Sequence, residues 1–342
     1  MPEQAGGERS IPGGNNMPQS RGPSHADDRL PVIGVEIGGR GLRVVLADAS
    51  DDIRDTERAI DSAMTAHATV DTACTLIDQI LSRRNLSYAD ISGIGIAFGG
   101  PVDVRRGITL RSHRIEGFEQ FPLVGVMEEH FGVPVVLEND ARAAAFGEYT
   151  HGAGRGARDM VYVHLGRGVG GAVIIRGTLL HGSAMTAGEI GHMVVTTDGP
   201  RCSCGKPGHL EAYASEPAII SRMTSRVNQA GPEERATWLS SPGVTLQRVF
   251  ERYGDDEIAR DVIDETIQVI GLAGANLVTA LNPDAFVIGG YVALAGPRLT
   301  AGIRAKIRQY AVDPAAQRVL VAPSQLGTDA GVIGAVVLAH QD

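Results

Sequence analysis

Along the chain the apolar positions switch between two periods, and most switches fall at glycine clusters. Val32 to Ile37 is a short β-branched run broken by Gly38-Gly39, and an apolar run resumes over Leu42 to Ala47. This pattern predicts a β-hairpin with a Gly-rich turn. Between Val70 and Leu81 the apolar residues (Val70, Ala73, Leu76, Ile77, Ile80, Leu81) stand at helical spacing and predict an amphipathic helix. Ile91 to Phe98 reads as a buried strand that ends in Gly99-Gly100-Pro101. Val133 to Leu137 predicts another strand, followed by Glu138-Asn139-Asp140 and an Ala-rich helix to about Tyr149.

The second half repeats the opening. Met160 to Leu165 predicts a strand, Gly166 to Gly171 a turn and Ala172 to Ile175 a return strand, about 130 residues after the first copy. Pro217 to Tyr253 is expected to be helical, with a loop around Ser240-Ser241-Pro242-Gly243. A long helix is predicted over Ile258 to Leu281, then a strand over Ala285 to Ile288 and the pair Gly289-Gly290. A helix near Leu299 to Gln309, a strand over Val319 to Ala322 and a last helix from near Asp329 complete the pattern. Two related α/β lobes facing each other across a cleft fit this repeat.

Length supports the same division, because 342 residues exceed what one compact core usually holds. The formal net charge of −9 argues against nucleic acid or an anionic membrane as the main partner. No apolar run approaches the ~20 residues that span a bilayer. Residues 1–30 are rich in Gly, Pro, Ser and Asn, lack the apolar stretch of a signal peptide and are expected to be a disordered tail. They are also too polar to build a helix-turn-helix. The three cysteines, two of them in C-x-C spacing, suit a metal fragment better than a disulfide framework. A cytoplasmic location is the expectation.

The Gly-rich turns and the Gly-Gly after a strand offer bare backbone N–H groups that can meet phosphate, although each alone also reads as a tight turn. Asp140 closes a strand and opens a helix. It reads either as a helix cap or as a general base for a substrate hydroxyl. His192, Cys202, Cys204 and His209 follow the spacing H-x9-C-x-C-x4-H, four ligands within eighteen residues. Thiolate and imidazole in that number suit tetrahedral, structural zinc. Glu189 and Glu211 flank the cluster and are placed to bind sugar hydroxyls from a loop that the metal orients.

Ordered motifs then carry a resemblance. Glu138 to Glu148 (Glu-Asn-Asp-Ala-Arg-Ala-Ala-Ala-Phe-Gly-Glu), the run Gly-Arg-Gly-Val-Gly-Gly, Ala187 to His192 (Ala-Gly-Glu-Ile-Gly-His), Cys-x-Cys-Gly and Leu210 to Ser215 (Leu-Glu-Ala-Tyr-Ala-Ser) resemble the ROK family of bacterial sugar kinases and sugar-responsive repressors. The likeness runs from about Ile33 to Ala339 and includes Val287 to Gly290 and Leu326 to Gly331. It implies an α/β fold of the actin-like ATPase (ribonuclease H-like) type, with two lobes closing on ATP and sugar. The expected division is a tail over 1–30, a smaller lobe over 31–140 with a C-terminal helix 329–342 packing back on it, and a larger lobe with the zinc loop over 141–328.

By this resemblance Asp140 is the catalytic base. Gly100, Asn139, Asp140, Glu189, His192 and Glu211 bind the substrate. Gly38, Gly39, Arg40, Gly166, Arg167, Gly168, Gly170, Gly289 and Gly290 hold ATP. His192, Cys202, Cys204 and His209 ligate Zn2+, and Mg2+ accompanies the nucleotide. A homodimer or homotetramer is expected, and the absence of a DNA-binding extension in the sequence places the expectation with the kinases.

The sequence departs from the family pattern in four respects. The first phosphate motif, usually Asp-x-Gly-Gly-Thr-Lys, is Glu36-Ile-Gly-Gly-Arg40-Gly41, and Arg167 replaces a Thr in the second loop. Two guanidiniums thus stand where two hydroxyls are usual, either holding phosphate oxygens or occupying their space. His209 replaces Cys, with the ligand chemistry retained. Phe98-Gly-Gly-Pro101 and Ser112 to Phe118 differ from the glucokinase-like substrate loops, and His113 and Arg114 there are placed to meet unusual hydroxyls or an anionic group. The expected activity is phosphorylation of a hexose, amino sugar or cyclitol, with a non-catalytic sugar sensor as the alternative.

Overall fold

The computed structural model describes residues 29–38, 41–60, 65–112 and 114–341, so most of the 1–30 tail, together with Gly39, Arg40 and His113, lies outside the described residues. The first sheet opens with β1 (Val32–Gly38) and β2 (Gly41–Ala47), antiparallel with Ile33 opposite Leu46. β3 (Ile53–Ala59) extends it at the edge. The hydrophobic pattern does not predict β3, because Ile-Arg-Asp-Thr-Glu-Arg-Ala shows no apolar alternation. α1 (Ala66–Arg84) runs about a turn longer at its start than the apolar spacing predicts. Thr65 caps it by accepting from the Ala68 N–H, and Asn85 ends it in a left-handed conformation, φ 54°.

β4 (Gly93–Phe98) pairs parallel with β1. The short hairpin of β5 (Val102–Asp103) and β6 (Ile108–Thr109) and helix α2 (Leu123–Phe131) follow, none of them predicted. β7 (Val135–Asn139) pairs parallel with β4 and starts later than predicted. Pro134 has no N–H for a ladder, and only its carbonyl takes part, accepting from Ile94 N–H at 2.9 Å.

α3 (Asp140–His151) leads to the second sheet, which opens with β8 (Met160–Leu165), β9 (Val169–Ile175) and β10 (Thr178–Leu179). Its Gly-rich turn is shorter than predicted. Gly170 and Gly171 belong to β9, opposite His164 and Val163. Helices α4 (Glu211–Ala214), α5 (Glu216–Gln229), α6 (Pro232–Leu239), α7 (Leu246–Arg252) and α8 (Glu257–Leu281) build a layer over this sheet around the buried Trp238. β11 (Ala285–Gly289), α9 (Pro297–Tyr310), α10 (Ala315–Arg318), β12 (Leu320–Pro323) and α11 (Ala330–Ala339) complete the chain.

The strand orders are β3-β2-β1-β4-β7 and β10-β9-β8-β11-β12, so the same topology occurs twice. Each copy closes with a helix that packs on the other copy's sheet. Ala144, Ala145 and Phe146 of α3 bury against Tyr162, Ile174 and Val287, whereas Val332 and Val336 of α11 bury against Val32 and Val45. The two helices meet closely where a Cβ on Gly334 would lie 1.7 Å from the Ala143 carbonyl oxygen. Only glycine permits that approach. Among the described residues, no helix is long and apolar enough to cross a membrane.

Candidate active site between the two sheets

A cleft of about 420 Å³ separates the two sheets, lined by the C-terminal end of β1, the start of α3, the β8–β9 turn and the first turn of α11. Of the residues expected to hold ATP, Gly38, Gly166, Arg167, Gly168, Gly170 and Gly290 line this cleft. Gly290 has φ 82°, and a Cβ there would lie 2.3 Å from the Leu165 carbonyl, so glycine is required by conformation and by space. Gly289 departs from the expectation. It is the buried last residue of β11, and a Cβ there would lie 2.1 Å from Tyr162 Oη, so its missing side chain makes room for a neighbour and not for a ligand.

Asn139 and Asp140 sit at the β7–α3 junction. Asn139 Oδ1 caps α3 by accepting from Ala141 N–H at 3.0 Å and Arg142 N–H at 3.2 Å. Its Nδ2 donates to Gly100 O and to Asp140 Oδ1, both at 3.1 Å. Capping by Asn139 leaves the Asp140 carboxylate facing the cleft, with Oδ1 also accepting from Ala141 N–H at 2.8 Å. Burial raises the Asp140 carboxyl above the ordinary carboxylate range. The nearby His164 and Arg114 and the hydrogen bonds from Ala141 and Asn139 oppose that rise. One residue back, buried Glu138 lies 3.5 Å from Arg142 and 2.6 Å from His181 Nε2. Arg142 Nη2 donates to the Met185 carbonyl at 2.9 Å, which ties α3 to the loop leading to Glu189.

The four expected metal ligands converge. One ligand atom from each of His192, Cys202, Cys204 and His209 falls within 4.8 Å of the others. Cys202 Sγ is 3.5 Å from His192 Nδ1, and Cys204 Sγ is 3.3 Å from His209 Nδ1. A tetrahedral zinc with ordinary bond lengths separates such atoms by about 3.3–3.8 Å, so the donor set fits. Burial pushes the Cys202 thiol up to about 11, a cost that a bound cation relieves. Burial also lowers His209, which keeps its ring in the neutral form that ligates.

His192 faces both ways. Its Nδ1 points to the cysteine loop, and its Nε2 lies 4.0 Å from Glu189 at the cleft wall. Glu211 also lines the cleft. Burial acts to raise its carboxyl, but hydrogen bonds from Ser203 Oγ at 2.5 Å, Val169 N–H at 3.1 Å and Cys202 Sγ at 3.3 Å outweigh that and hold it below its usual range. The expected substrate residues Gly100, Asn139, Asp140, Glu189, His192 and Glu211 therefore share one cavity, whereas Cys202, Cys204 and His209 stand behind its wall.

Residue-level reading missed several groups in the same cleft. Arg43, Arg58, His164 and Tyr291 line it, and Tyr291 Oη donates to the Glu216 carboxylate. Arg43 carried a usable signal, as the one charged residue in the apolar run Leu-Arg-Val-Val-Leu-Ala.

Comparison with known proteins decides the family. The ROK family profile matches residues 32–342. The chain belongs to the ROK family. A glucokinase from Halalkalibacterium halodurans is 36% identical over 313 residues, covering 90% of this chain and 94% of that one. The DNA-binding transcriptional repressor Mlc of Escherichia coli is 32% identical, covering 77% of this chain and 64% of the repressor. Among solved structures, a ROK family glucokinase from Streptomyces griseus in complex with glucose and AMPPNP superposes with a TM-score of 0.76 at 33% identity, covering 91% of this chain and all of the other. The repeated sheet topology is that of the actin-like ATPase fold shared by this ROK protein and its relatives.

Proposed function

We propose that the protein is an ATP-dependent kinase that phosphorylates a hydroxyl of a hexose or hexose-like polyol. The observation that carries this reading is the position of Asp140, a part-buried carboxylate at the start of α3, in one cleft with the Gly-lined turns, Asn139, Glu189, His192 and Glu211. A sugar repressor needs the hydroxyl-binding groups of such a cleft. It has no need of a carboxylate raised toward neutrality at the point where a hydroxyl proton would leave.

The sugar lies between Asn139, Glu189, His192 and Glu211, each able to accept or donate to ring hydroxyls. Asp140 takes the proton of the attacking hydroxyl as its oxygen bonds to the terminal phosphorus of ATP, and the bond to the ADP oxygen breaks in line. The β8–β9 turn lines the cleft, where Arg167 would hold phosphate oxygens. The carboxylate of Glu36 would hold magnesium carried in with ATP, through water, and the ion would supply charge neutralisation on the phosphates when bound. The Cys/His cluster fits zinc, which would fix the loop presenting His192 and Glu211. Arg114, an exposed guanidinium on the same cleft, is placed to meet acceptor hydroxyls or an anionic group, and the proposed acceptor class includes amino sugars and cyclitols alongside glucose. The test is phosphoryl transfer from Mg-ATP to a panel of hexoses, amino sugars and cyclitols. Turnover with any member is the expected result, and its loss in Asp140→Asn identifies the base.

A further inference from the structure

Helix α3 opens with Asp140 at the cleft and carries a second carboxylate, Glu148, about two turns later and behind the cleft wall. Glu148 is fully buried, and no cation pairs with it among the described residues. Hydrogen-bond donors meet it instead. Its Oε1 accepts from Ser324 Oγ at 2.5 Å and Leu326 N–H at 2.8 Å, and its Oε2 from Gln325 N–H at 3.1 Å and Ala153 N–H at 2.8 Å. Four donors on two oxygens fill the capacity of a carboxylate. Gly152 leaves room for it, since a Cβ there would lie 2.1 Å from Oε2.

Three of these donors belong to the segment between β12 and α11, whose N–H groups are taken up in order. Ser324 N–H donates to the Ile288 carbonyl at 2.8 Å, those of Gln325 and Leu326 to Glu148, and that of Gly327 to Ser324 Oγ at 3.1 Å. The bond to Ile288 sets the segment beside the end of β11, and Ser324, Gly327 and Thr328 line the cleft together with Gly290. At the far end Asp329 pairs with Arg43 at 2.5 Å, and a Cβ on Gly331 would lie 3.2 Å from Glu36 Oε1. The segment thus runs from Gly290 to Glu36, and it makes no hydrogen bond to Asn139, Glu189, His192 or Glu211 among the described residues. Burying a carboxylate without a cation costs stability unless its lone pairs are satisfied, and apolar contacts would join α3 to the segment at less cost. What the carboxylate adds is direction, because its hydrogen bonds fix the backbone of 324–326 in one conformation.

We infer that Glu148 is a positioning residue for the nucleotide end of the cleft. Acting through Ser324, Gln325 and Leu326, it holds the β12–α11 segment against the nucleoside part of ATP and itself touches neither substrate. Asp140 and Glu148 lie about 12 Å apart along one helix axis, so α3 sets both the base and the nucleotide wall. The identity of the ligand rests on the kinase reading, and the geometry of the anchor does not.

The test uses the full chain and Glu148→Gln, which keeps the volume and turns one acceptor into a donor. Whichever way the amide faces, its NH2 meets at least one backbone N–H. Calorimetry with the non-hydrolysable analogue Mg-AMPPNP is expected to show binding weakened ~10-fold, the equivalent of about one hydrogen bond. KM for ATP rises to match, whereas kcat and KM for the acceptor stay unmoved. Gly152→Ala, which pushes on Oε2 from outside the cleft, is expected to shift the same values in the same direction. In the native chain the amides of Gln325 and Leu326 exchange slowly with solvent, and Mg-AMPPNP, but not glucose, protects 324–328 further. A lower Tm with AMPPNP affinity and KM for ATP unchanged would overturn the inference, as would kcat and both KM values moving together. Should neither variant fold, fast exchange at Gln325 and Leu326, or protection indifferent to Mg-AMPPNP, overturns it equally. Weakened AMPPNP binding in a protein that phosphorylates no acceptor keeps the anchor and overturns the kinase reading.

Discussion

Glu211 Oε2 accepts a hydrogen bond from the Val169 backbone N–H at 3.1 Å, which joins the cysteine loop to the β8–β9 turn. The opposite oxygen of the same carboxylate accepts from Ser203, between Cys202 and Cys204. One side chain thus couples the cysteine loop, the cleft wall and the β8–β9 turn, which the proposed function assigns to zinc, sugar and phosphate. Disturbance of the loop is therefore expected to reach both substrates, the sugar first.

Zinc content follows from this coupling. Elemental analysis after dialysis is expected to give about one zinc per chain, as four ligands make one tetrahedral site. Chelation or Cys202→Ser is expected to raise KM for the sugar by ~10–100-fold, the usual cost of losing the support of an oriented site. A fully active, metal-free protein would contradict the assignment.

Asp140→Asn is expected to lower kcat by at least ~10²-fold, the contribution of a positioned general base, with sugar binding kept within a few-fold. The folded-state pKa of Asp140 is raised, so its contribution to stability is present at acid pH and lost as pH rises through that value. At neutral pH the variant is therefore expected to melt no lower than the native chain, by calorimetry. The acid limb of kcat/KM, which reports the free protein, is expected above the ordinary carboxylate range, with activity falling as pH drops through it.

Glu138 and Arg142 are both buried, at 4% and 2% side-chain exposure. Removing one partner strands the other charge, so Glu138→Ala is expected to lose ~3–5 kcal/mol in urea unfolding. Arg142 also pins the loop before Glu189, and weakened sugar binding should accompany the loss.

Gly334→Ala places a Cβ 1.7 Å from a backbone oxygen of the facing helix, which cannot move aside as a side chain would. A loss of ~1–3 kcal/mol or more is expected from overpacking, measured as a lower urea midpoint. Because this crossing joins the two sheets, the ATP-induced stabilisation should shrink with it.

Local features of the fold were legible in sequence. The β1–β2 and β8–β9 hairpins, the long α8 and the Cys/His spacing each depend on residues close together in the chain. β3 escaped because an edge strand with Arg, Asp, Glu and Arg shows no apolar period. The exchange of α3 and α11 between sheets is a long-range packing result that no short window records. Gly289 and Gly290 read alike as neighbours, yet one packs against Tyr162 and the other lines the cleft. Arg43 and Arg58 stand opposite each other only through strand register. Arg114 and Arg167, singled out as departures from the family pattern, needed the fold to bring them to one cleft with Asp140.

The most direct measurement of the central claim is ADP release from Mg-ATP by the folded, zinc-loaded chain against hexoses, amino sugars and cyclitols. The account requires acceptor-dependent turnover that disappears in Asp140→Asn. Sugar-induced thermal stabilisation without any ADP release across the panel would contradict it and leave a sugar sensor in its place.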